Sequence, residues 1–227
     1  MLPVLLAALF PRLSVRGRSW LEKEMAAMVP GRSAEPILHA FAAASLYVGR
    51  AQLKLADEEL QRVSALDADL SLADWTTDVA ARAALLLVLA DASPSQFADI
   101  ALACYEHSDA RGQQGWLRAL PMLPQPQRFL PTALDACRST NVQLFEAIAC
   151  ENAYPARYFP ERNFNQLVMR ALAGGVALSR IAGLSRRTNP DLVRMVGDYA
   201  TERKAAGRSA PPDVALVLTP VKIVNAS

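Results

Sequence analysis

Trp75-Thr76-Thr77-Asp78-Val79-Ala80-Ala81-Arg82-Ala83-Ala84-Leu85-Leu86-Leu87-Val88-Leu89-Ala90 reads as one helix that is apolar on nearly every side. A surface helix keeps a polar face, so this pattern predicts a central helix surrounded by others. Asp78 and Arg82 stand four residues apart, acid first, the favourable order on one helical face. In a core, desolvation offsets much of their attraction, so the pair reads as a packing requirement rather than as chemistry. Arg82 also interrupts the apolar run and Asp91 ends it, so neither this stretch nor any other approaches the roughly 20 apolar residues of a membrane span.

The surrounding composition supports helices. Of 227 residues, 52 % are hydrophobic but only 7 % aromatic, with Ala and Leu dominant, which favours helices packed through small side chains over a β-sandwich. The length suits one domain with a sizeable core. Met1 to Phe10 lacks a basic leader and runs into Pro11-Arg12, so it reads as a first core helix. Ser14 or Ser19 can cap a second, Ser19-Trp20-Leu21-Glu22 being a capping-box pattern, and Pro30-Gly31 ends it. A third runs from Glu35 to Tyr47 and closes at Gly49. A fourth is predicted from Leu53 to Leu66, with Leu53, Ala56, Leu60 and Val63 on one stripe.

Beyond the central helix, Ser93-Pro94-Ser95-Gln96 predicts a helix from 94 to 106. Further helices are predicted over 112–121, 126–138, 141–151 and 163–173, with a turn at 179–183. Asn189-Pro190-Asp191 opens a last helix to Ala206, and Gly207 is its C-cap. The expected fold class is all-α, with about ten or eleven helices. From about residue 75 onward they read as antiparallel pairs of roughly 30–40 residues in the manner of a right-handed HEAT or armadillo stack, a globular helical array being the alternative. Residues 1–208 form the expected helical-array domain and 209–227 an extended tail. Its apolar stretch, Val214 to Val224, is expected to dock on the body or a partner.

The stretch Glu151 to Arg170 is the richest in recognition chemistry. Pro155 and Pro160 predict a rigid, extended loop holding Tyr154, Tyr158 and Phe159 in set directions. Asn163 reads as the N-cap of the following helix, with Gln166 at N3. Asn163, Asn165 and Gln166 can present amides to a pocket, with Met169 and Arg170 one turn on. Arg157 and Arg162 lie where they could meet an anion. Tyr154, Arg157, Tyr158, Arg162, Asn163, Asn165, Gln166 and Arg170 are therefore the candidate binding residues. The competing reading is that the rings plug a corner and the amides cap a helix.

Several chemistries lack their residues. The net charge of +2 argues against nucleic-acid binding. Charge is unevenly placed, with a local net of −9 over residues 56–110 and +5 over 151–208, which reads as solvated faces or as an acidic and a basic side. His39 and His107 are the only histidines, too few for a metal site or a Ser/His/Asp triad. His107 ends a helix, where an imidazolium meets the dipole. There is no P-loop, GxSxG or GxGxxG, so no cofactor, metal or catalytic residue is expected. Cys104, Cys137 and Cys150 are odd in number and without CxxC, which predicts reduced, buried thiols and a cytoplasmic protein.

The residues now assembled resemble the EboA-domain family. Trp20-Leu21-Glu22, Trp75 with Asp78 and Arg82, and Trp116-Leu117-Arg118-Ala119-Leu120-Pro121-Met122-Leu123-Pro124 carry the likeness. So do Asn152-Ala153-Tyr154-Pro155-Ala156-Arg157-Tyr158-Phe159-Pro160, Asn165 to Leu172, and Asn189-Pro190-Asp191-Leu192 with Tyr199 and Arg203. The resemblance implies a soluble bacterial protein encoded beside a membrane prenyltransferase-like protein, a metal-dependent hydrolase-like protein and sugar-phosphate-type enzymes. Such clusters are associated with making or exporting specialised metabolites. The resemblance brings with it no established activity and no agreed catalytic residues. The resulting expectation is a non-catalytic accessory or adaptor protein that binds a partner protein or a pathway intermediate. Contact with a membrane enzyme would be peripheral. The alternative is a carrier or enzyme acting on an apolar, isoprenoid-like intermediate.

Overall fold

A computed structural model describes residues 1–29 and 35–219. Its described part is helical throughout: α1 (Leu2–Leu9), α2 (Val15–Ala26), α3 (Glu35–Val48), α4 (Asp57–Leu66), α5 (Thr77–Ala92), α6 (Phe97–Glu106) and α7 (Ala110–Ala119) come first. Then follow α8 (Leu130–Ala136), α9 (Val142–Ala149), α10 (Tyr154–Tyr158), α11 (Glu161–Gly174), α12 (Leu184–Arg187), α13 (Pro190–Ala205) and α14 (Ala215–Leu218). That is fourteen α-helices among the described residues, more than the ten or eleven expected, because single-turn helices such as α10, α12 and α14 have no periodicity to betray them.

Helix α5 is central. Ala80, Ala81, Ala83, Ala84, Leu85 and Leu86 are fully buried on all its sides. Helices α1, α2, α3, α6 and α7 surround it, and α7 passes the packing on to α9. Small side chains permit these close crossings. A Cβ on Gly115 of α7 would lie 2.9 Å from the Arg82 side chain of α5. Beyond α9, α10 packs against it, α11 packs on α13, and α13 carries α14.

The entry to α5 is fixed by short-range pairing. Gln52 and Thr76 form an isolated antiparallel bridge, with Leu53 N–H donating to Trp75 O and Thr77 N–H to Ala51 O, both at 2.9 Å. This corrects the start of the fourth helix. Leu53 is spent on the bridge, so α4 begins at Asp57, where Glu59 accepts from the Ala56 N–H at 2.8 Å. Likewise α6 starts at Phe97, residues 94–96 forming a turn before it. Ser14, not Ser19, caps α2, accepting from Gly17 N–H at 3.1 Å. The expected stop at Pro30-Gly31 lies outside the described residues.

Two proline-based expectations are corrected too. Tyr154–Tyr158 is a helical turn rather than extended chain, because Pro155 sits in its first turn, where the missing N–H has no helical acceptor anyway. Helix α11 begins at Glu161 with Pro160 before it, so Asn163 is its third residue and not its cap. Within the tail, Pro212–Val214 and Ala215–Leu218 form short helical segments instead of extended chain. Asp213 accepts from the Leu178 N–H at 2.6 Å, and Val217 is buried. Residues 220–224 of the expected docking segment lie outside the described residues.

Candidate functional site

The stretch around Tyr154 divides into a corner and a pocket. Asn152, buried, donates from Nδ2 to the carbonyls of Leu117 and Ala147, both at 2.9 Å, and its Oδ1 accepts from the Tyr154 N–H at 3.0 Å. This ties α7, α9 and α10 together. Tyr154 is fully buried, donates its hydroxyl to Pro126 O at 2.5 Å, and is pushed above the ordinary phenol pKa by that burial. Phe159 is buried edge-on to it, and half-buried Tyr158 tilts against it at 4.8 Å.

Arg157 is engaged at this corner as well. It donates to both oxygens of Asp67, one at 2.8 Å, and reaches Asp69 at 3.4 Å. Arg186 completes the cluster with two bonds of 2.9 Å to Asp69. The Arg157 bond holds the Asp67 carboxyl below the usual carboxylate range, and the Arg186 bond does the same for Asp69. Asn165 exchanges amide bonds of 3.2 and 2.9 Å with Asn189, whose Oδ1 accepts from Leu192 N–H and caps α13. Arg162 is exposed and stands apart from this set.

Asn163, Gln166 and Arg170 are brought together. At spacings of three and four they share one face of α11. With Leu134, Cys137, Arg138 and Leu167 they line a cavity of about 310 Å³ against the end of α8. Arg170 donates to the carbonyls of Cys137 and Ser139 at that end, and its guanidinium lies 4.3 Å from the Phe145 ring centre. Cys137 is pushed up to about 12 by burial, so its thiol is neutral and no nucleophile at physiological pH. Cys104 and Cys150 are buried and pushed up by the same cause.

Asp78 and Arg82 form the expected pair at 2.7 Å, both essentially without solvent exposure. Two further partners had no signal in the sequence. Arg111, 33 residues away, donates to both Asp78 oxygens at 2.9 and 2.8 Å, and Thr76 donates its hydroxyl at 2.6 Å. Arg82 also donates to Phe41 O at 3.0 Å and to the Ser45 hydroxyl at 2.9 Å. Burial pushes the Asp78 carboxyl up, but the bonds from Arg111 and Thr76 and the nearby charges outweigh it, leaving the pKa lowered from 3.8 to about 2. A depressed folded-state pKa means that this stabilisation is whole above about pH 4 and is lost as pH falls towards 2. We expect the unfolding free energy to decline over that window and Asp78→Asn to flatten the decline, as urea titrations at stepped pH would read. An unchanged slope would show that other carboxylates govern the acid limb.

Arg180 is another group the sequence did not single out. It bonds Glu151 at 2.8 and 3.0 Å and Glu146 at 2.9 Å, tying the turn after α11 to the end of α9. His107 does lie at a helix end, Nδ1 2.9 Å from Ala103 O. Helices α12, α13 and α14 leave an open groove of about 900 Å³, lined in part by Arg186 and Asn189. Val193, Leu216 and Leu218 project there, more than a third exposed, between Arg186 and Arg194.

These features define an all-helical protein with a filled centre and concavities at its surface, and no described helix is long and apolar enough to cross a membrane. The chain belongs to the EboA family, described as metabolite traffic protein EboA, whose pattern it matches over residues 2–218. No curated protein and no solved structure matches it.

Proposed function

We propose that this chain is a non-catalytic accessory protein of metabolite traffic that works in the cytoplasm by holding a partner protein of its pathway on its surface. The observation that carries this reading is the packing around α5. A carrier that encloses an apolar molecule needs an internal cavity of some hundreds of Å³. Here the middle of the fold is occupied by α5 itself, with Ala80 to Leu86 fully buried apart from 1 % exposure at Arg82. Gly115 has no room for even one more carbon beside Arg82. The described cavities open at the surface instead, and antiparallel pairs stacked in the HEAT manner would present them along one body.

The groove over α12, α13 and α14 suits an apolar segment of that partner protein. Its floor offers Val193, Leu216 and Leu218, exposed aliphatic side chains whose removal from water on docking would be favourable. The test is quantitative affinity capture from the native host with wild type, Val193→Arg, Leu216→Glu and, as a control outside the groove, Gln166→Ala. The expected result is one protein partner held by wild type and by Gln166→Ala but lost by both groove variants at unchanged melting temperature. Capture of the same partner by all four proteins would remove the groove from the account.

A further inference from the structure

The pocket between α8 and α11 has a chemistry that the partner-binding reading leaves unused. Two guanidinium groups, Arg138 and Arg170, and two amides, Asn163 and Gln166, line it around Leu134 and Leu167. Among the described residues that line it there is no carboxylate. Arg138 does reach Asp135 at 3.1 Å, but both side chains are about two-thirds or more exposed, and such a pair is weak and readily exchanged.

Arg170 is held as a rigid donor. Its bonds to the Cys137 and Ser139 carbonyls use two of the five guanidinium N–H groups and, with Phe145 beneath, fix the plane. The carbonyl end of α8 carries at most about half a negative charge, so a full guanidinium charge there leaves the pocket positive. The side-chain amides of Asn163 and Gln166 make no hydrogen bond among the described residues, so they can orient towards a guest. Cys137, kept protonated by its burial, adds no opposing charge.

The geometry points to a binding site for a small amphiphilic organic anion. Its anionic oxygens meet Arg170 and Arg138, the Asn163 and Gln166 amides take remaining oxygens, and a short apolar body rests on Leu134 and Leu167. Charge-assisted bonds to a preset guanidinium are the stronger kind, and a planar fork suits carboxylate and phosphate alike. A volume of about 310 Å³ lies at the small end of the range for small-molecule sites, which limits the guest to roughly the size of a substituted single ring. This assignment stands independently of the protein partner, since the pocket shares no residue with the groove.

The test uses the full chain with benzoate and phenyl phosphate as probes and benzamide as the neutral counterpart, read by calorimetry and by NMR of the side-chain amides. We expect saturable binding of at least one of the anions, with benzamide weaker by about tenfold or more. Whichever anion binds more tightly distinguishes a carboxylate guest from a phosphate ester. Gln166→Glu and Arg138→Glu, both at exposed positions, are expected to weaken the anion by about tenfold each while the melting temperature holds. Arg170→Gln tests the same point at the fixed donor, with the exposed-site variants deciding if it fails to fold. No saturable anion binding, equal binding of benzamide, or anion binding untouched by both exposed-site variants would overturn the proposal.

Discussion

Asp78→Ala is expected to destabilise the protein by about 3–5 kcal/mol, the cost of stranding a buried charge. The stranded group is Arg82, at 1 % exposure, which would be left with neutral partners, the carbonyls of Phe41 and of residue 78 and the Ser45 hydroxyl. Arg82→Ala should cost less than Asp78→Ala. It opens a cavity beside Gly115, but Asp78 keeps Arg111 and Thr76. The double variant Asp78→Ala/Arg82→Ala should therefore fall well short of the sum of the two singles, because the second change removes the charge the first one stranded. Urea denaturation of the four proteins gives the coupling directly. Additive losses, or a larger cost for Arg82→Ala, would contradict the picture of one carboxylate serving two arginines.

The second large effect is expected at the corner. Tyr154→Ala and Phe159→Ala should each cost about 3 kcal/mol or more, since both rings are buried in the corner between α10 and its neighbours. Tyr154→Phe isolates the hydroxyl, whose bond to Pro126 O should contribute about 1 kcal/mol. Arg162→Ala and Gln166→Ala, on exposed positions of the same stretch, should stay within about 0.5 kcal/mol. Thermal and chemical melts decide the matter. Tolerance of alanine at Tyr154 and Phe159 would contradict the corner role and favour a binding role for Tyr154.

The centrality of α5 was legible because a helix without a polar face has nowhere to lie but inside. The Asp78–Arg82 pair was legible for the same reason, since i,i+4 spacing places both on one helix. Arg111 was not, because its approach depends on how α7 crosses α5, and no local pattern encodes a contact across 33 residues. The prolines misled at α10 and α11. A proline forbids helix before itself but favours it just after, and which rule governs depends on the packing of α10 against α9. Among the candidate binding residues, neighbours in sequence were grouped together although a helix turns about 100° per residue. Asn165 and Gln166 consequently face apart, one towards Asn189 and the other into the pocket. Asn163, Gln166 and Arg170 show the spacing that a shared face requires.

The proposed function places binding on the surface of a filled fold, with nothing carried inside. Native mass spectrometry of the protein purified gently from its own host, alongside Val193→Arg and Gln166→Glu, tests this most directly. The predicted result is a wild-type chain that leaves the host with a bound protein, loses it on Val193→Arg, and holds no small molecule that survives both substitutions. An apolar molecule retained one per chain in wild type and in both variants would place the cargo in the interior and contradict the account.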